Sequence, residues 1–161
     1  MVGLLTGEKF PTSIFESLLL TADFHFRQEK YKHQDGYNLY DRDFISILSY
    51  QRMLLENDYP NFEEFYRPFK ECVLFNLKPV DLLVYVHVPI ELSLKRIFSR
   101  DHRTYNESDK TFLQNIKLYL EEELLHEMEN ERGIKVLKLD GRNLPDANVN
   151  SILREINYEK N

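Results

Sequence analysis

Asp41 and Arg42 stand side by side in the segment YNLYDRDFISILSYQ, residues 37–51, between a short apolar run and a stretch of helical spacing. A guanidinium is a planar fork of donors that fits a phosphate or a carboxylate bidentately, and a neighbouring aspartate can fix that fork or help to hold a magnesium ion. The pair is therefore suited to binding a phosphate. The alternative is a surface ion pair of small energy, which is common at turns.

Three polar side chains follow this pair on the predicted helix. Ser46 and Tyr50 are four residues apart and share a helix face, and Gln51 is adjacent to them. A hydroxyl, a phenol and an amide near a phosphate-binding arginine can contact a nucleobase and its sugar. The alternative is that Tyr50 belongs to the core and that Ser46 and Gln51 are solvated.

A second basic cluster contains Arg96, Arg100 and Arg103, with Lys95 and His102 beside them. It lies at the end of a predicted helix and in the polar loop that follows. Phosphoryl transfer is catalysed mainly by positioning and charge stabilisation, and arginines on a closing lid supply both. Basic residues in the last turn of a helix also favour the helix dipole, so a solvated helix end is the alternative.

Apolar spacing and capping signals predict the elements that position these residues. Ser13 and Glu16 form a predicted capping box, and the residues after them predict an amphipathic helix with Phe15, Leu18, Leu19, Ala22 and Phe26 on its apolar face. The other predicted elements are a strand at 37–40, helices at 44–56 and 61–75, a strand at 82–88, helices at 91–99 and about 110–132, a strand at 136–139 and a helix at 146–157.

The run from Leu82 to Val88 is almost continuously apolar, which is typical of a strand covered on both faces in a parallel sheet. Strands separated by helices predict an α/β fold in which a parallel sheet is layered between helices. Ligands of such sheets bind at the carboxyl ends of the strands. Those ends carry Asp41-Arg42, Val88-Pro89 and Asp140-Gly141-Arg142.

The bulk properties narrow the class of protein. A length of 161 residues predicts a single domain over residues 1–161. The formal net charge of −6 would on average repel a nucleic-acid strand or an anionic membrane, so we expect neither as a partner.

Cys72 is the only cysteine, which excludes an internal disulfide and a multi-cysteine zinc site. The sequence has no membrane-spanning apolar run and no secretory signal pattern, so we predict a cytoplasmic protein.

The other candidate residues have simpler interpretations. His25 and His33 have no partners at metal-ligand spacing, and His87 is interpreted as a satisfied histidine of the core. The run Glu121-Glu122-Glu123 is interpreted as a solvated helix face.

The segment DRDFISILSYQ resembles the D-R-[YF]-x-x-S-x-x-A-Y-Q pattern of thymidylate kinases, with Asp43 and Ser49 as its two departures. The resemblance continues in order along the chain. ESLLLTADF is similar to the family's E-x-L-L-F-x-A-x-R helix, and VDLLVYVHVPIELSLKRIFSR is similar to its P-D-L-x-x-x-L-x-V-x-x-E-x-x-x-x-R segment. RDHRTYNE is similar to the arginine-bearing lid, and FLQNIKLYLE is similar to the helix after it.

The resemblance implies a role for each matched residue of the acceptor site. Arg42 would bind the phosphate of the acceptor nucleotide, and Asp41 would orient the phosphoryl group and act indirectly on Mg²⁺. Ser46 and Gln51 would contact the base, and Tyr50 would lie under the sugar.

For the second basic cluster, the resemblance implies that Arg96, Arg100 and Arg103 neutralise the transferring phosphoryl group from the lid side. The implied reaction converts ATP and thymidine monophosphate (dTMP) into ADP and thymidine diphosphate with Mg²⁺.

Two departures concern the base and the phosphoryl donor. Phe24 stands where the family's helix carries a base-contacting arginine, and Leu20 stands where it carries a stacking aromatic residue. The sequence also lacks G-x-x-x-x-G-K-[ST], the phosphate loop whose backbone N–H groups and lysine hold the phosphates of ATP. We therefore expect a P-loop-kinase-like fold without its first strand and phosphate loop, with Met1 aligned after both.

Several alternatives remain open at this point. A chain of this kind is expected to form a homodimer or to associate with a chain that supplies the missing strand. It could instead be a non-catalytic relative that binds a nucleotide or a partner protein. A deoxynucleoside kinase is a further alternative, although a phosphate-directed Arg42 argues against it.

Overall fold

The computed structural model describes residues 12–30, 38–40, 44–75, 77–101 and 106–158. The chain divides into two compact units, Met1–Pro79 and Val80–Asn161. The single domain expected over residues 1–161 stays a prediction.

The described residues of the first unit form three helices, α1 (Ser13–Lys30), α2 (Phe44–Asp58) and α3 (Phe62–Phe75). Helix α2 packs against both α1 and α3. The largest fully buried side chains of this unit are Phe24, Phe44, Leu48 and Leu55. Residues 38–40 have no regular secondary structure, so the strand predicted at 37–40 is not formed there; Tyr37, Asp41 and Arg42 lie outside the described residues.

Thr12, rather than Ser13, caps the start of α1. The Thr12 Oγ1 atom accepts a hydrogen bond of 3.2 Å from the backbone N–H of Phe15. The Thr12 carbonyl accepts another of 3.1 Å from the N–H of Glu16. The predicted capping box was therefore wrong by one residue, because both Thr12 and Ser13 are suitable capping residues.

The apolar residues of helix α1 predict that their face is buried. In the structure the opposite face of the helix is buried instead. Its buried residues are Ser13, Ser17, Thr21, Phe24 and Gln28. Phe15, Leu18 and Phe26 of the predicted apolar face are instead 45%, 55% and 51% exposed. Ser17 and Thr21 can be buried on this face because their hydroxyl groups find hydrogen-bond acceptors, whereas the buried Ser13 Oγ atom has no hydrogen-bond partner among the described residues. Ser17 and Thr21 each donate to the carbonyl four residues earlier, at 2.8 Å.

Where the structure describes the second unit, two strands are combined with four α-helices and a π-helical segment. The strands are β1 (Leu82–His87) and β2 (Lys135–Asp140). The helices are α4 (Ile90–Asp101), α5 (Glu107–Leu118), α6 (Leu125–Asn130) and α7 (Pro145–Tyr158). The π-helical segment, Tyr119–Leu124, joins α5 to α6. The strands pair in parallel, from Leu82 with Lys135 to His87 with Asp140. The described residues are thus mostly helical with a small parallel sheet, which is compatible with the predicted α/β class.

The long helix predicted at about 110–132 begins earlier and changes its winding in the middle. Asn106 caps α5 and forms a reciprocal capping box with Asp109. The helical region then passes through the π-helical segment before α6. The predicted end at Gly133 is confirmed, since this glycine has φ of 67°, a left-handed conformation that lacks a penalty only in glycine.

Strand β1 is less covered than its sequence predicts. Each of its six residues is at least partly exposed, and the apolar Val86 is 47% exposed. Among the described residues, β1 pairs with β2 alone. A two-stranded sheet leaves one edge of β1 without a neighbouring strand, whereas its apolar run is typical of an interior strand. None of the described helices is both long and apolar enough to span a membrane.

Candidate ligand sites on α2 and at the strand ends

The predicted base-site residues lie on α1 and α2 of the first unit. Phe24 is fully buried, and its ring meets the His25 ring edge-on, with the centroids 5.2 Å apart. Leu20 and Ser46 are half-buried, and Tyr50 is 45% exposed. Asp41 and Arg42, which should bind the phosphate, are outside the described residues.

Helix α2 places these residues on two different sides. Its buried side contains Phe44, Ile47, Leu48, Gln51 and Leu55. Ser46 and Tyr50 are four residues apart and lie on the other side, where Tyr50 reaches solvent. The structure therefore brings Ser46 and Tyr50 together and directs Gln51 toward α1.

Gln51 is the centre of a hydrogen-bond network between α1 and α2. Its Oε1 atom lies 2.8 Å from Ser17 Oγ, which shares its one proton between this oxygen and the Ser13 carbonyl, and its Nε2 atom donates a hydrogen bond of 3.3 Å to Glu16 Oε1. Gln51 is 1% exposed. A buried amide needs such partners, because leaving it without them would cost free energy. This network could not be read from local spacing, because Ser17 and Gln51 are far apart in the sequence.

The predicted lid arginines belong to the second unit. Arg96 on α4 donates a hydrogen bond of 2.8 Å from Nη2 to the carbonyl oxygen of Gly141, directly after β2. Arg100 is exposed in the last turn of the same helix. Arg103 is outside the described residues. Arg96 thus links α4 to the carboxyl end of β2.

A cluster that the sequence did not predict lies on one face of the sheet. Tyr85 and His87 are two positions apart on β1 and share this face. The Tyr85 hydroxyl donates to Glu121 Oε1 at 2.7 Å, and His87 Nδ1 lies 2.7 Å from the same oxygen. We call Tyr85, His87 and Glu121 the strand-end cluster.

The predicted roles of His87 and Glu121 were therefore incomplete. The side chain of His87 is 41% exposed, so the core interpretation was wrong, although the ring does have a hydrogen-bond partner. Glu121 is only partly exposed, whereas Glu122 and Glu123 are exposed as predicted. A π-helical turn changes the side-chain spacing along a helix and is frequent at functional sites. The regular helical spacing assumed for residues 110–132 could not reveal the contact that Glu121 makes with β1.

The contacts of the strand-end cluster favour an ionised Glu121 and a neutral Tyr85. Burial opposes the charge of Glu121, but hydrogen bonds from Tyr85 and His87 outweigh it and lower the pKa of this carboxyl. Burial and the neighbouring Glu121 carboxylate both raise the pKa of the Tyr85 phenol. Because an ionised Glu121 can only accept hydrogen bonds, His87 Nδ1 must be the donor, which leaves Nε2 as the acceptor in the neutral ring.

Asp140 and Arg142 form a second polar pair at the end of β2. Arg142 donates to both carboxylate oxygens of Asp140, with a shortest contact of 2.6 Å from Nη2 to Oδ2. The backbone N–H of Arg142 donates to Oδ1 at 2.8 Å. Hydrogen bonds from this arginine lower the pKa of Asp140 to about 2. The loop itself is tied to β1, because Gly141 N–H donates to the His87 carbonyl at 2.7 Å.

A shallow cavity of about 360 Å³ lies at this end of the sheet. Its lining residues are Tyr85, His87, Glu121, Lys138, Leu139 and Asp140. Register pairs His87 with Asp140 and Tyr85 with Lys138, so both strands contribute to the same surface. An imidazole acceptor, two carboxylates and an ammonium group can hydrogen-bond a polar ligand, and such ligands lie at the carboxyl ends of parallel strands. Across the part of the chain that the structure describes, no group of three or more His, Cys, Asp or Glu side chains is arranged to hold a metal ion.

Comparison with known proteins gives one partial similarity. The chain is 38% identical over 61 residues to a protein of Aeropyrum pernix named "Putative thymidylate kinase". The matched segment is 38% of this chain and 28% of the length of that relative. No protein-family model and no solved structure matches the chain.

Proposed function

We propose that this chain contains the acceptor-nucleotide part of a thymidylate-kinase-like phosphotransferase, with dTMP as the favoured acceptor. The observation on which this rests is the 38% identity to the Aeropyrum pernix protein, whose name is that of the family that the DRDFISILSYQ segment resembles. The parallel pairing of β1 and β2, with polar groups at their carboxyl ends, is compatible with a P-loop-kinase-like sheet.

In this proposal, Arg42 binds the acceptor phosphate and Asp41 orients it. Ser46 and Tyr50 contact the nucleoside, which is supported by their common side of α2 and by the exposure of Tyr50. Gln51 does not contact the nucleoside in this proposal, since its amide is already hydrogen-bonded to Ser17 and Glu16. Its role is to hold α2 against α1.

The resemblance also implies a lid, to which the proposal assigns Arg96, Arg100 and Arg103. Arg100 and Arg103 neutralise the transferring phosphoryl group. Arg96 is assigned to the same lid. Its hydrogen bond to Gly141 supports a positioning role, in which Arg96 holds α4 at the carboxyl end of β2.

The 161 residues do not contain the donor part of such an enzyme. They have no G-x-x-x-x-G-K-[ST] sequence, and the described residues have no cluster able to hold a metal ion by themselves. In the proposal, a strand and phosphate loop outside these residues bind ATP, and Mg²⁺ arrives on the ATP phosphates with Asp41 acting on it indirectly. Within the described ranges β1 has β2 as its one neighbouring strand, and this supports the proposal because an apolar run of this kind is typical of a strand with a neighbour on each side.

Ligand preference tests the proposed acceptor site. Thermal shift and NMR titration of the whole chain with dTMP, thymidine and the other three deoxynucleoside monophosphates should show the strongest response to dTMP. A stronger response to thymidine than to dTMP would favour the deoxynucleoside kinase instead. No response to any of the monophosphates would contradict the proposal.

A non-catalytic nucleotide-binding relative is the second candidate. The lack of G-x-x-x-x-G-K-[ST] in the 161 residues favours it, because that loop is what holds the phosphates of ATP. Incubation of the chain with ATP, Mg²⁺ and dTMP, followed by measurement of ADP, separates the two. ADP formation that depends on dTMP would exclude the second candidate, whereas dTMP binding without ADP formation would exclude an enzyme that acts by itself.

A further inference from the structure

A pocket of about 260 Å³ lies in the first unit, where the first turn of α1 meets the connection between α2 and α3. Three aromatic side chains line it, Tyr59, Phe62 and Phe65, together with the aliphatic Ile14. Glu64 is the one charged side chain among the described residues that line it. We call this the aromatic pocket. None of its described lining residues belongs to the proposed acceptor site.

Contacts outside the aromatic pocket hold two of its rings in place. The Phe65 ring is stacked on the buried Phe69 ring, with the centroids 6.0 Å apart and an interplanar angle of 17°. The Phe62 ring lies under Arg52, whose guanidinium carbon is 5.4 Å from the ring centroid. This second contact is a cation over the face of an aromatic ring, which is an attractive arrangement. The walls of the pocket are therefore preformed, and one of its rings already has a cation as a neighbour.

The charge around the aromatic pocket is negative. Arg52 forms ion pairs with Glu56 at 3.4 Å and with Glu63 at 3.5 Å, so these three side chains together have a net charge of −1. Glu64 adds a second negative charge, and its carboxylate has no ion-pair partner within the ranges that the structure describes. Glu63 and Glu64 also lie in the first turn of α3, where they offset the positive end of the helix dipole. These charges favour a cation over an anion as the occupant.

We propose that the aromatic pocket binds a small organic cation of the alkylammonium class. Ring faces attract the positive charge while apolar walls accept the alkyl groups, and proteins commonly hold quaternary ammonium groups between aromatic rings in this way. Drug-sized ligands occupy pockets of roughly 300–1,000 Å³, so the smaller volume here suits a single head group. This inference does not depend on the proposed kinase function.

An NMR titration of the whole chain with choline tests the preference for a cation. The matched ligand is the neutral isostere in which a carbon atom replaces the quaternary nitrogen of choline. Choline should bind with a dissociation constant in the millimolar range, and ring currents should shift its N-methyl protons upfield. The neutral isostere should bind about fivefold more weakly, because it lacks the attraction between the charge and the rings. Sodium chloride keeps the ionic strength equal in all samples.

Glu64→Gln tests the carboxylate of the aromatic pocket without changing its shape. This variant should weaken choline binding about two- to fivefold, as expected for an ion pair close to solvent, and should leave the affinity for the neutral isostere unchanged. The matched control is Glu29→Gln, which changes the net charge equally. Glu29 is exposed on α1 and lies about four helical turns beyond Ile14, so its loss should leave choline binding unchanged.

Phe65→Leu tests the aromatic wall. It should weaken choline binding about three- to fivefold and reduce the upfield shift of the N-methyl protons, since leucine is apolar but has no ring. The control is Phe75→Leu, at a phenylalanine of α3 that is 85% exposed, and it should change neither quantity. Thermal unfolding of each variant checks that the chain remains folded.

Three results would overturn the inference. The first is the absence of saturable choline binding by the wild-type chain, and the second is equal affinity for choline and its neutral isostere, which would leave a purely apolar pocket. The third is equal weakening of choline binding by Glu64→Gln and Glu29→Gln, which would make the attraction a property of the net charge. This last comparison uses two exposed residues, so it stands even if Phe65→Leu fails to fold.

Discussion

Gln51 shows how a single residue can match a ligand-binding pattern and still have a structural task. Its amide accepts from Ser17 and donates to Glu16, and these contacts hold α1 on α2. The fixed position of α2 in turn leaves Tyr50 exposed on the other side. Gln51 therefore contributes to the proposed acceptor site through the stability of the helix pair.

Removal of this amide should destabilise the chain. Gln51→Ala should lower the free energy of unfolding by about 2 kcal/mol, because it leaves a small cavity and removes two hydrogen bonds. Urea unfolding followed by circular dichroism measures the effect. Gln114→Ala, at an exposed glutamine of α5, is the control and should change the free energy of unfolding by less than about 0.5 kcal/mol. Equal free energies of unfolding for the two variants would contradict the role of Gln51 in holding α1 on α2.

Arg142 should control the ionisation of Asp140. The folded chain lowers the pKa of Asp140 from 3.8 to about 2, so the contribution of this pair to stability is present above about pH 4 and is lost as the pH falls toward 2. Arg142→Ala should return the pKa of Asp140 toward its ordinary value. An NMR titration of the Asp140 carboxyl carbon measures this shift.

The control for this titration is Arg154→Ala, at an exposed arginine of α7, which should leave the pKa of Asp140 near 2. A pKa that stays near 2 in Arg142→Ala would show that another group holds the carboxylate in its ionised form.

The positions of most helices and strands could be predicted from the sequence. Which face of each element is buried was harder to predict. The apolar run at 82–88 and the glycine at 133 define a strand and a helix end by local physics alone. The buried side of α1 depends on Gln51, which is distant in sequence, and therefore local spacing gave the opposite face. In the same way, the contact of Glu121 with Tyr85 and His87 depends on a π-helical turn that a regular helical period does not describe.

At the scale of elements, Gly141 joins the ends of both strands to α4. Its N–H donates to the His87 carbonyl, and its own carbonyl accepts from Arg96. A Cβ atom at this position would lie 2.4 Å from Val88 Cγ2 and 3.0 Å from the His87 carbonyl oxygen. The loop after β2 can approach β1 this closely only because residue 141 has no side chain.

Gly141→Ala should therefore separate the loop from β1 and lower the free energy of unfolding by about 1–3 kcal/mol. The matched glycine variant is Gly133→Asn. Gly133 has φ of 67° and no atom within 4 Å of a built Cβ, and asparagine tolerates this conformation, so we expect a loss of about 1 kcal/mol or less. Thermal unfolding of the two variants compares them. A Gly141→Ala chain as stable as wild type would show that the contact with β1 is not tight.

At the scale of the whole molecule, the described residues include two exposed surfaces that are typical of contact sites. One is the side of α1 that contains Phe15, Leu18 and Phe26, in the first unit, and the other is the edge of the apolar strand β1 that has no described strand beside it, in the second. Their chemistry differs, since the side of α1 offers side chains and the strand edge offers backbone groups. The proposed function assigns the strand edge to the phosphate-loop strand.

The proposed acceptor site requires Arg42 to bind the phosphate of a nucleoside monophosphate. Isothermal titration calorimetry of dTMP into the wild-type chain, Arg42→Ala and the control Arg67→Ala tests it most directly, since Arg67 is an exposed arginine of α3 outside the proposed site. We predict that wild type and Arg67→Ala bind dTMP, and that Arg42→Ala loses about 2 kcal/mol of binding free energy, roughly thirtyfold in affinity. Equal affinity in all three proteins, or no binding by the wild-type chain, would contradict it.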